Sequence, residues 1–551
     1  MLTRQKLERR WKELFDEQNT WKPTWQDLAR YILPRRGFFL TDSPNRGERK
    51  DNFIIDGTPI RAARVLAAGM MSGLTSPSRP WFKLGVADPE LSKFAPVRFW
   101  LDEVQNRMMA VYSMSNIYNA LHSVYEEVGA FGTAAMIVLE DFDDIIRGRT
   151  FTIGEYALGT GPDLRGNALA RQLWMTVAQL VQEFGIDNVS LGVKNAWENN
   201  QLGRWVKVYH LIEPNDDRIH DLKDARNKPF RSVYWEAGTS EEKYLRVSGF
   251  DEFPVMAPRW DIVGADIYGK GPGWDALGDS KQLQKMQEDK LMALDKLVNP
   301  PMTAPASVLK AGGVNLLPGG VTFHDETMSH VGVKPTYQIN PDLQGITLAI
   351  QEVQQAIRET FFSDLFLMLA QSDRRQMTAR EVAERHEEKL LMLGPVLERL
   401  ESELLDPLID RTFSIMNRNG LIPPPPRELQ GMYLKVEYIS VLAQAQKMVG
   451  TTSIERMLVF AQSVAAAKPD VLDKIDFDEA IDQYADMLGV PPGVIVSDDQ
   501  VAKIRQARAE QQAQMQAAQY AMAAVQGAKT LSDTSLEGKN ALAMLTGMGD
   551  T

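Results

Sequence analysis

Residues 274–303, WDALGDSKQLQKMQEDKLMALDKLVNPPMT, and residues 341–376, PDLQGITLAIQEVQQAIRETFFSDLFLMLAQSDRRQ, carry two helical patterns separated by a stretch that has none. In the first, Leu283, Met286, Leu291, Leu294, Leu297 and Val298 fall within an arc of about 140° at 100° per residue. Lys281, Lys285, Lys296 and Glu288 cluster elsewhere, so one face packs and another is wet. Pro300 and Pro301 stop this helix, because a proline removes an amide and crowds the preceding turn. Residues 299–340 then bring Gly312, Gly313, Pro318, Gly319 and Gly320 among β-formers, which predicts short strands and turns. Helical spacing returns after Pro341 with Ile346, Ile350, Val353, Ile357 and Phe361, a narrow seam suited to a neighbouring helix. From Phe361 to Leu369 the residues are apolar nearly all round, which predicts burial on several sides.

Next comes a polar stretch, Gln371-Ser372-Asp373-Arg374-Arg375-Gln376. Thr378 and Glu381 follow as a capping box, in which the threonine accepts from a first-turn amide and the glutamate reaches back. Val382, Leu390, Leu393, Leu397, Leu400, Leu404 and Leu408 continue a helix from there, and Asn419-Gly420 before Pro423 to Pro426 ends it. Some 40 residues at 1.5 Å each span roughly 60 Å. Gly394-Pro395 in the middle predicts a kink. An insertion bounded by two amphipathic helices is what a radial subunit needs if it is to line a tube and carry a projecting tip.

Length and composition set the outer limits. A chain of 551 residues with 44% hydrophobic residues allows two to four domains with large cores. It has no cysteine, which excludes disulfides and cysteine-based zinc sites and fits assembly in a reducing cytoplasm. No apolar run approaches the roughly 20 residues that cross a bilayer, and MLTRQKLERRWKELF reads as a charged amphipathic helix rather than a signal peptide, so no membrane association is expected. The formal charge of −12 argues against a broad nucleic-acid grip, which relies on Lys and Arg displacing counterions. It fits either an ordinary acidic protein or a conduit through which a duplex slides without sticking.

The remainder reads as a mixed α+β, helix-rich body. Helices are expected near 4–18, 24–33, 58–73, 96–113, 116–129 and 168–184, with strands at 133–139, 205–212, 230–235, 255–260 and 433–439. Further helices are expected at 441–467, 477–488 and 498–528, the last rich in Gln and Ala with little large apolar surface.

Catalytic and metal motifs are missing. Gly264-Ala265-Asp266-Ile267-Tyr268-Gly269-Lys270-Gly271 falls one hydroxyl short of a phosphate-binding loop, since Gly271 stands where Ser or Thr would ligate magnesium. A turn leading into the helix at Trp274 is the better reading. Asp141, Asp143 and Asp144 lack calcium-loop spacing and read as a solvated acidic turn. The histidines at 122, 210, 220, 324, 330 and 386 show no zinc-ligand spacing, and the 25 methionines read as core or interface filler. No enzyme activity, metal or cofactor is expected.

Several of these segments together resemble the portal proteins, or head-to-tail connectors, of short-tailed bacteriophages. The resemblance is carried by Tyr268-Gly269-Lys270-Gly271-Pro272-Gly273, Met377-Thr378-Ala379-Arg380-Glu381-Val382, Leu393-Gly394-Pro395-Val396-Leu397, Thr75-Ser76-Pro77 before Trp81-Phe82, and Gln179-Leu180-Val181-Gln182-Glu183-Phe184-Gly185. It covers about residues 5–440.

The resemblance implies a ring, expected to be a dodecamer, at one capsid vertex. The implied parts are a wing (1–272), a first stem helix (273–298), a clip (299–340), a second stem helix (341–370), a tunnel loop (371–377), a long kinked helix with a return strand of the wing (378–440), a crown (441–497) and a C-terminal helical extension (498–551). Gln371, Ser372, Asp373, Arg374, Arg375 and Gln376 would lie beside double-stranded DNA and touch phosphates without reading sequence, with Lys281, Lys285 and Lys296 as channel-facing candidates of the stem. Without the resemblance, Arg374 and Arg375 read as solvated surface charge. Implied partners are the large terminase subunit, tail adaptor and tail proteins, and capsid and scaffolding proteins. The location is the virion, with assembly in the host cytoplasm and the genome packaged and ejected through the channel. Another virion protein, such as a tail tube or scaffold component, and a nucleotide-hydrolysing packaging motor remain the alternatives.

Overall fold

The computed structural model describes residues 3–37, 51–303 apart from 89–90, 92–93, 220, 223 and 240–242, then 334–335, 342–372, 392–443 apart from 430 and 433, 460–463, 476–481 apart from 480, 496, and 498–532. The chain divides into two units, Met1–Phe460 and Ala461–Thr551.

The first unit opens with helices α1 (Arg4–Glu17), α2 (Lys22–Tyr31) and α3 (Thr58–Leu74). Prolines at the first turn of α2 and α3 fit there because that amide has no helical partner anyway. In α3 the small residues Ala62, Ala63, Ala67, Gly69 and Gly73 are buried along with Leu66 and Met70, so this helix runs through the core rather than over it. Strand β1 (Phe82–Val86) leads to α4 (Ala95–Met114) and α5 (Ile117–Phe131). Gly132 ends α5 at φ 85°, the left-handed cap that glycine adopts without a Cβ penalty.

Eight strands follow among the described residues up to Met256, in part from patterns the sequence shows and in part from pairing that it does not. Strands β2 (Ala135–Asp141) and β3 (Ile145–Phe151) form a hairpin, and β4 (Tyr156–Thr160) and β5 (Gly166–Thr176) form another. Helices α6 (Val177–Phe184) and α7 (Leu191–Glu198) intervene before β6 (Trp205–Pro214), β7 (Phe230–Glu236), β8 (Arg246–Phe250) and β9 (Val255–Met256). The order β4-β5-β6-β7-β8 is an antiparallel meander, and β3-β2-β9 is a smaller sheet.

The helix expected at 168–184 is corrected here: residues 166–176 are strand, and only Val177–Phe184 is helical. Ala168, Leu169, Arg171, Gln172 and Leu173 are helix formers by intrinsic preference, but β4 and β6 flank this segment and satisfy its backbone on both sides. The true start is a capping box, with Thr176 accepting from the Gln179 amide and Gln179 reaching back. The meander is covered on both faces, following the two-residue alternation of strands. Ala168, Ala170, Leu211, Val233 and Trp235 pack under Leu7, Leu14 and Phe15 of α1. On the opposite face Leu173 and Val208 pack with Val177, Leu180, Phe184 and Val193 of α6 and α7.

After a helical turn at Pro272–Asp275, α8 spans Leu277–Val298. The short strands β10 (Met302–Thr303) and β11 (Lys334–Pro335) pair antiparallel, so the insertion is closed at its base. Helix α9 (Leu343–Thr360) starts at Asp342, whose carboxylate accepts from the Gly345 amide at 2.9 Å. Residues 341–370 were expected as one helix, yet the chain breaks at Phe361–Phe362, and α10 runs separately over Ser363–Ser372. Residues 392–400 are helical, Glu401–Leu405 form a π-helical turn, and α11 spans Asp406–Arg418. Pro407 explains the π turn, since its missing amide and its ring disrupt the regular ladder just there. Gly420, at φ 69°, stops α11 where Asn419-Gly420 predicts it. Strand β12 (Leu434–Tyr438) returns to pair with β1, Phe82 opposite Tyr438 and Val86 opposite Leu434.

In the second unit α12 covers Asp498–Ser532, and Arg505 near its start pairs with Asp478 at 2.6 Å.

Candidate functional site

The two helices that flank the insertion, α8 and α9, lie antiparallel: Lys290 donates to the Thr347 hydroxyl at 3.0 Å, while Gln287 and Gln354 meet at one carboxylate. The expected seam does the packing, with Ile350, Ile357 and Phe361 buried against a core that includes Leu283.

That carboxylate belongs to Asp56, and it is the polar centre of the assembly. Asp56 is only 7% exposed. Its Oδ2 accepts from Gln287 Nε2 at 2.8 Å and Gln354 Nε2 at 2.6 Å, and its Oδ1 accepts from the Thr58 amide at 2.8 Å and hydroxyl at 2.6 Å. Gln284 of α8 completes the clasp, its Oε1 accepting from the Ile55 and Asp56 amides (2.8 and 3.0 Å) and its Nε2 donating to the Asp56 carbonyl (2.8 Å). Burial pushes the Asp56 carboxyl up, but the hydrogen bonds from Thr58, Gln354 and Gln287 outweigh it and hold the group below its ordinary value. One loop therefore fastens both helices to the start of α3.

Two further buried groups fix the body that carries these helices. Arg259, 4% exposed, grips Glu403 of the π turn through its amide (3.0 Å) and Nε (3.1 Å), and donates to the carbonyls of Asp266 (3.1 Å) and Leu164 (2.8 Å). Glu127 of α5 is fully buried, with Arg36 3.7 Å away and the Ile153 amide donating to Oε2 at 3.3 Å. Burial pushes its carboxyl up to about 7, against the attraction of Arg36. Because the folded value lies above the ordinary 4.5, ionising Glu127 costs the folded state progressively more as pH rises from 4.5 to about 7, and the cost is constant above that. Glu127→Gln is therefore expected to stabilise the protein at pH 8, by at most about 3 kcal/mol, and to change little at pH 5. Thermal melts at the two pH values check this.

Two of the three lysines singled out on α8 have partners inside the chain. Lys281 reaches Asp27 of α2 at 2.6 Å and lies over the Tyr31 ring. Lys285 is bound by Glu288 (3.1 Å) and Asp289 (3.0 Å) of its own helix. Lys296 is exposed near the end of α8. Gln371 and Ser372 are the last residues of α10, whereas Asp373, Arg374, Arg375, Gln376, Thr378 and Glu381 lie outside the described residues. Gly394 and Pro395 sit within helical residues 392–400, and the departure from α geometry is at Glu401–Leu405.

The segment 264–271 is closed to a phosphate. Its amides are committed, Gly269 to the Thr133 hydroxyl (2.7 Å) and Lys270 to the Asp261 carbonyl (2.7 Å), and a Cβ at Gly271 would stand 2.6 Å from the Val128 carbonyl. Asp141 accepts from the amides of Asp143 and Asp144 and pairs with Arg147 at 3.0 Å, which makes the acidic turn self-capped. His210 is buried between Arg171, which donates to Nδ1 at 3.0 Å, and the Ser232 hydroxyl at 2.9 Å from Nε2. Burial lowers its basicity further, so it serves the sheet as a neutral packed ring. His386 lies outside the described residues.

Sequence reasoning missed Asp56, Gln284, Gln287 and Gln354 as a unit. Asp56 reads as the residue before a capped helix, and nothing in isolated glutamines announces a shared acceptor.

The family described as "Bacteriophage head to tail connecting protein" matches residues 4–496. A protein named "Portal protein" from Salmonella phage epsilon15 is 49% identical over 531 residues, 96% of this chain and 95% of that protein. A "Probable portal protein" from Bordetella phage BPP-1 is 47% identical over 540 residues, 98% of this chain and 97% of that protein. With an antiparallel helix pair clasped to a mixed α+β body around a closed-off insertion, and with full-length identity of this size, the chain belongs to the family of bacteriophage head-to-tail connecting proteins, the portal proteins.

Proposed function

We propose that this chain is the subunit of a dodecameric ring at a unique capsid vertex, through which double-stranded DNA is packaged and later ejected. In this reading α8 and α9 are the stem, residues 299–340 the clip that docks the large terminase subunit and then tail adaptor and tail proteins, and the body around the two larger sheets the wing that meets capsid and scaffolding proteins. Residues 441–497 form the crown and 498–551 its helical extension. The role is structural, and the protein resides in the virion after assembly in the host cytoplasm. Among the described residues no helix is long and apolar enough to cross a membrane.

The observation that supports this reading best is the uncovered half of the first stem helix. The same apolar arc that buries Leu283 leaves Leu291 52%, Leu297 47% and Val298 73% exposed, and Leu348 of α9 is 61% exposed. A helix that hides half its stripe within the chain and bares the rest is built for a neighbouring copy. The wet side suits a duplex in motion: Lys281, Lys285, Lys290 and Lys296 are matched in number by Asp279, Glu288, Asp289 and Asp295, so the helix carries no net charge to hold phosphates.

Particle images along the axis, with symmetry counting, test the ring. Twelve-fold particles with a central hole are expected from the parent protein, and Leu291→Glu with Leu297→Glu should leave folded single subunits. A solid cluster without a pore would overturn the reading. Replacing Arg374 and Arg375 with Ala should impair DNA packaging or retention while rings stay intact; normal packaging would remove both from the channel.

A further inference from the structure

Residues 423–426 are four consecutive prolines, more than the end of α11 needs. That helix is closed before them, since Gly420 turns at φ 69° and the amides of Gly420 and Leu421 donate to the carbonyls of Asn417 (3.1 Å) and Met416 (2.9 Å). Each proline ring fixes φ, and each residue that precedes a proline is kept out of the helical region, so Pro423, Pro424 and Pro425 form a polyproline ridge. Helix α4 fastens its base: Arg107 donates to the Leu421 carbonyl at 2.8 Å and Trp100 to the Pro423 carbonyl at 2.9 Å. Pro424 and Pro425 are left exposed, and their carbonyls accept no hydrogen bond among the described residues.

A surface of matching chemistry lies on the meander. In the β5–β6 register Trp174 stands opposite Lys207, Gln172 opposite Tyr209 and Thr176 opposite Trp205, which puts Trp174, Trp205, Lys207 and Tyr209 on the face that α1 packs against. Trp11 of α1 lies 4.2 Å from the Tyr209 ring, but Trp174, Trp205, Lys207 and Tyr209 stay half-buried. The Lys207 ammonium is 6.0 Å from the Trp174 ring and 5.7 Å from the Tyr209 ring, with no ion pair among the described residues. Trp174 has no acceptor for its indole N–H among the described residues.

We propose that Pro424 and Pro425 of one copy of this chain dock on the aromatic ladder Trp174, Trp205 and Tyr209 of another. Proline ridges suit aromatic-lined grooves because the ridge is preformed and loses little entropy on binding, and its rings pack on aromatic faces. Its carbonyls take the donor that the ladder has to spare, once the Trp174 ring turns its N–H toward them. Charge matches as well: Glu428, exposed two residues after the last proline and without an ion pair among the described residues, finds in Lys207 the cation it lacks. The two surfaces differ, so the contact is head-to-tail and repeats from copy to copy. It does not depend on the ring reading, which decides only whether the series closes.

The absence of native cysteine allows a direct test on the full chain. Arg427→Cys in one chain and Arg204→Cys in another place thiols beside the ridge and beside Trp205, at exposed residues that the contact does not use. Co-expressed with different tags and oxidised with diamide, the two chains are expected to form a mixed disulfide at about five times the yield of a control pair or more, because docking raises the local thiol concentration. The control pairs Arg204→Cys with Phe142→Cys, a fully exposed site on the β2–β3 turn. Pro424→Ala with Pro425→Ala, added to the Arg427→Cys chain, should bring the yield down to the control, and so should Trp205→Ala in the Arg204→Cys chain. Equal yields for the two pairs, or a yield that the proline substitutions leave unchanged, overturn the contact whatever the ring images show. Both prolines are exposed and outside every helix and strand, so their replacement decides alone if Trp205→Ala fails to fold.

Discussion

Arg259→Ala is expected to destabilise the first unit by about 3–5 kcal/mol, a large part of a domain's whole stability. The guanidinium is 4% exposed and joins three segments: the Glu403 carboxylate in the π turn, the Asp266 carbonyl in the loop before α8, and the Leu164 carbonyl in the β4–β5 turn. Removing it strands Glu403, itself 11% exposed at the side chain, with no cation in place of the one it lost. Such a charge is costlier to leave than the pair was to form. The control follows from the same physics. Arg259→Met together with Glu403→Leu removes both charges and should recover most of the loss, leaving a deficit on the order of 1–2 kcal/mol for the two carbonyls and the amide that lose partners. Urea unfolding of the parent, both single variants and the double variant gives the coupling energy, and additive losses would show that the pair acts through packing alone.

Asp56→Ala is the second large effect, expected at about 2–4 kcal/mol. It leaves the amides of Gln287 and Gln354 and both donors of Thr58 facing an apolar methyl in a site almost closed to water. The loss should be local as well as global, with faster hydrogen exchange in α8 and α9, because the clasp is what joins both to α3. Acid reports the same interaction. The folded carboxyl lies below its ordinary 3.8, so its contribution is complete above that pH and disappears as pH falls through the lower folded value. The stability gap between parent and Asp56→Ala should be constant from pH 7 to about 5 and narrow below pH 3.8. A gap unchanged in acid would mean that Asp56 acts by shape rather than by charge.

The helices of the body were legible because their apolar residues recur at helical spacing and their ends are marked. Thr58-Pro59 starts α3 and Asn419-Gly420 stops α11. The seam Ile350, Ile357, Phe361 was legible for the same reason. Strand β5 was not, since its residues prefer a helix in isolation and only β4 and β6 make them a strand. The clasp was unreadable because its members are separated by up to 298 residues. The lysines of α8 show a subtler limit: the helical spacing puts Lys281 on the polar side, but its partner is Asp27, 254 residues away.

Sequence by itself determined the helices α3, α4 and α5, their apolar faces, and the family, because periodicity and motif order are local properties carried by neighbouring residues. Tertiary structure alone decided that residues 166–176 are a strand, that Asp56 ties both α8 and α9 to α3, and that the helix after Thr360 breaks at Phe362. In each of these cases contacts between distant segments outweigh the backbone's own preference.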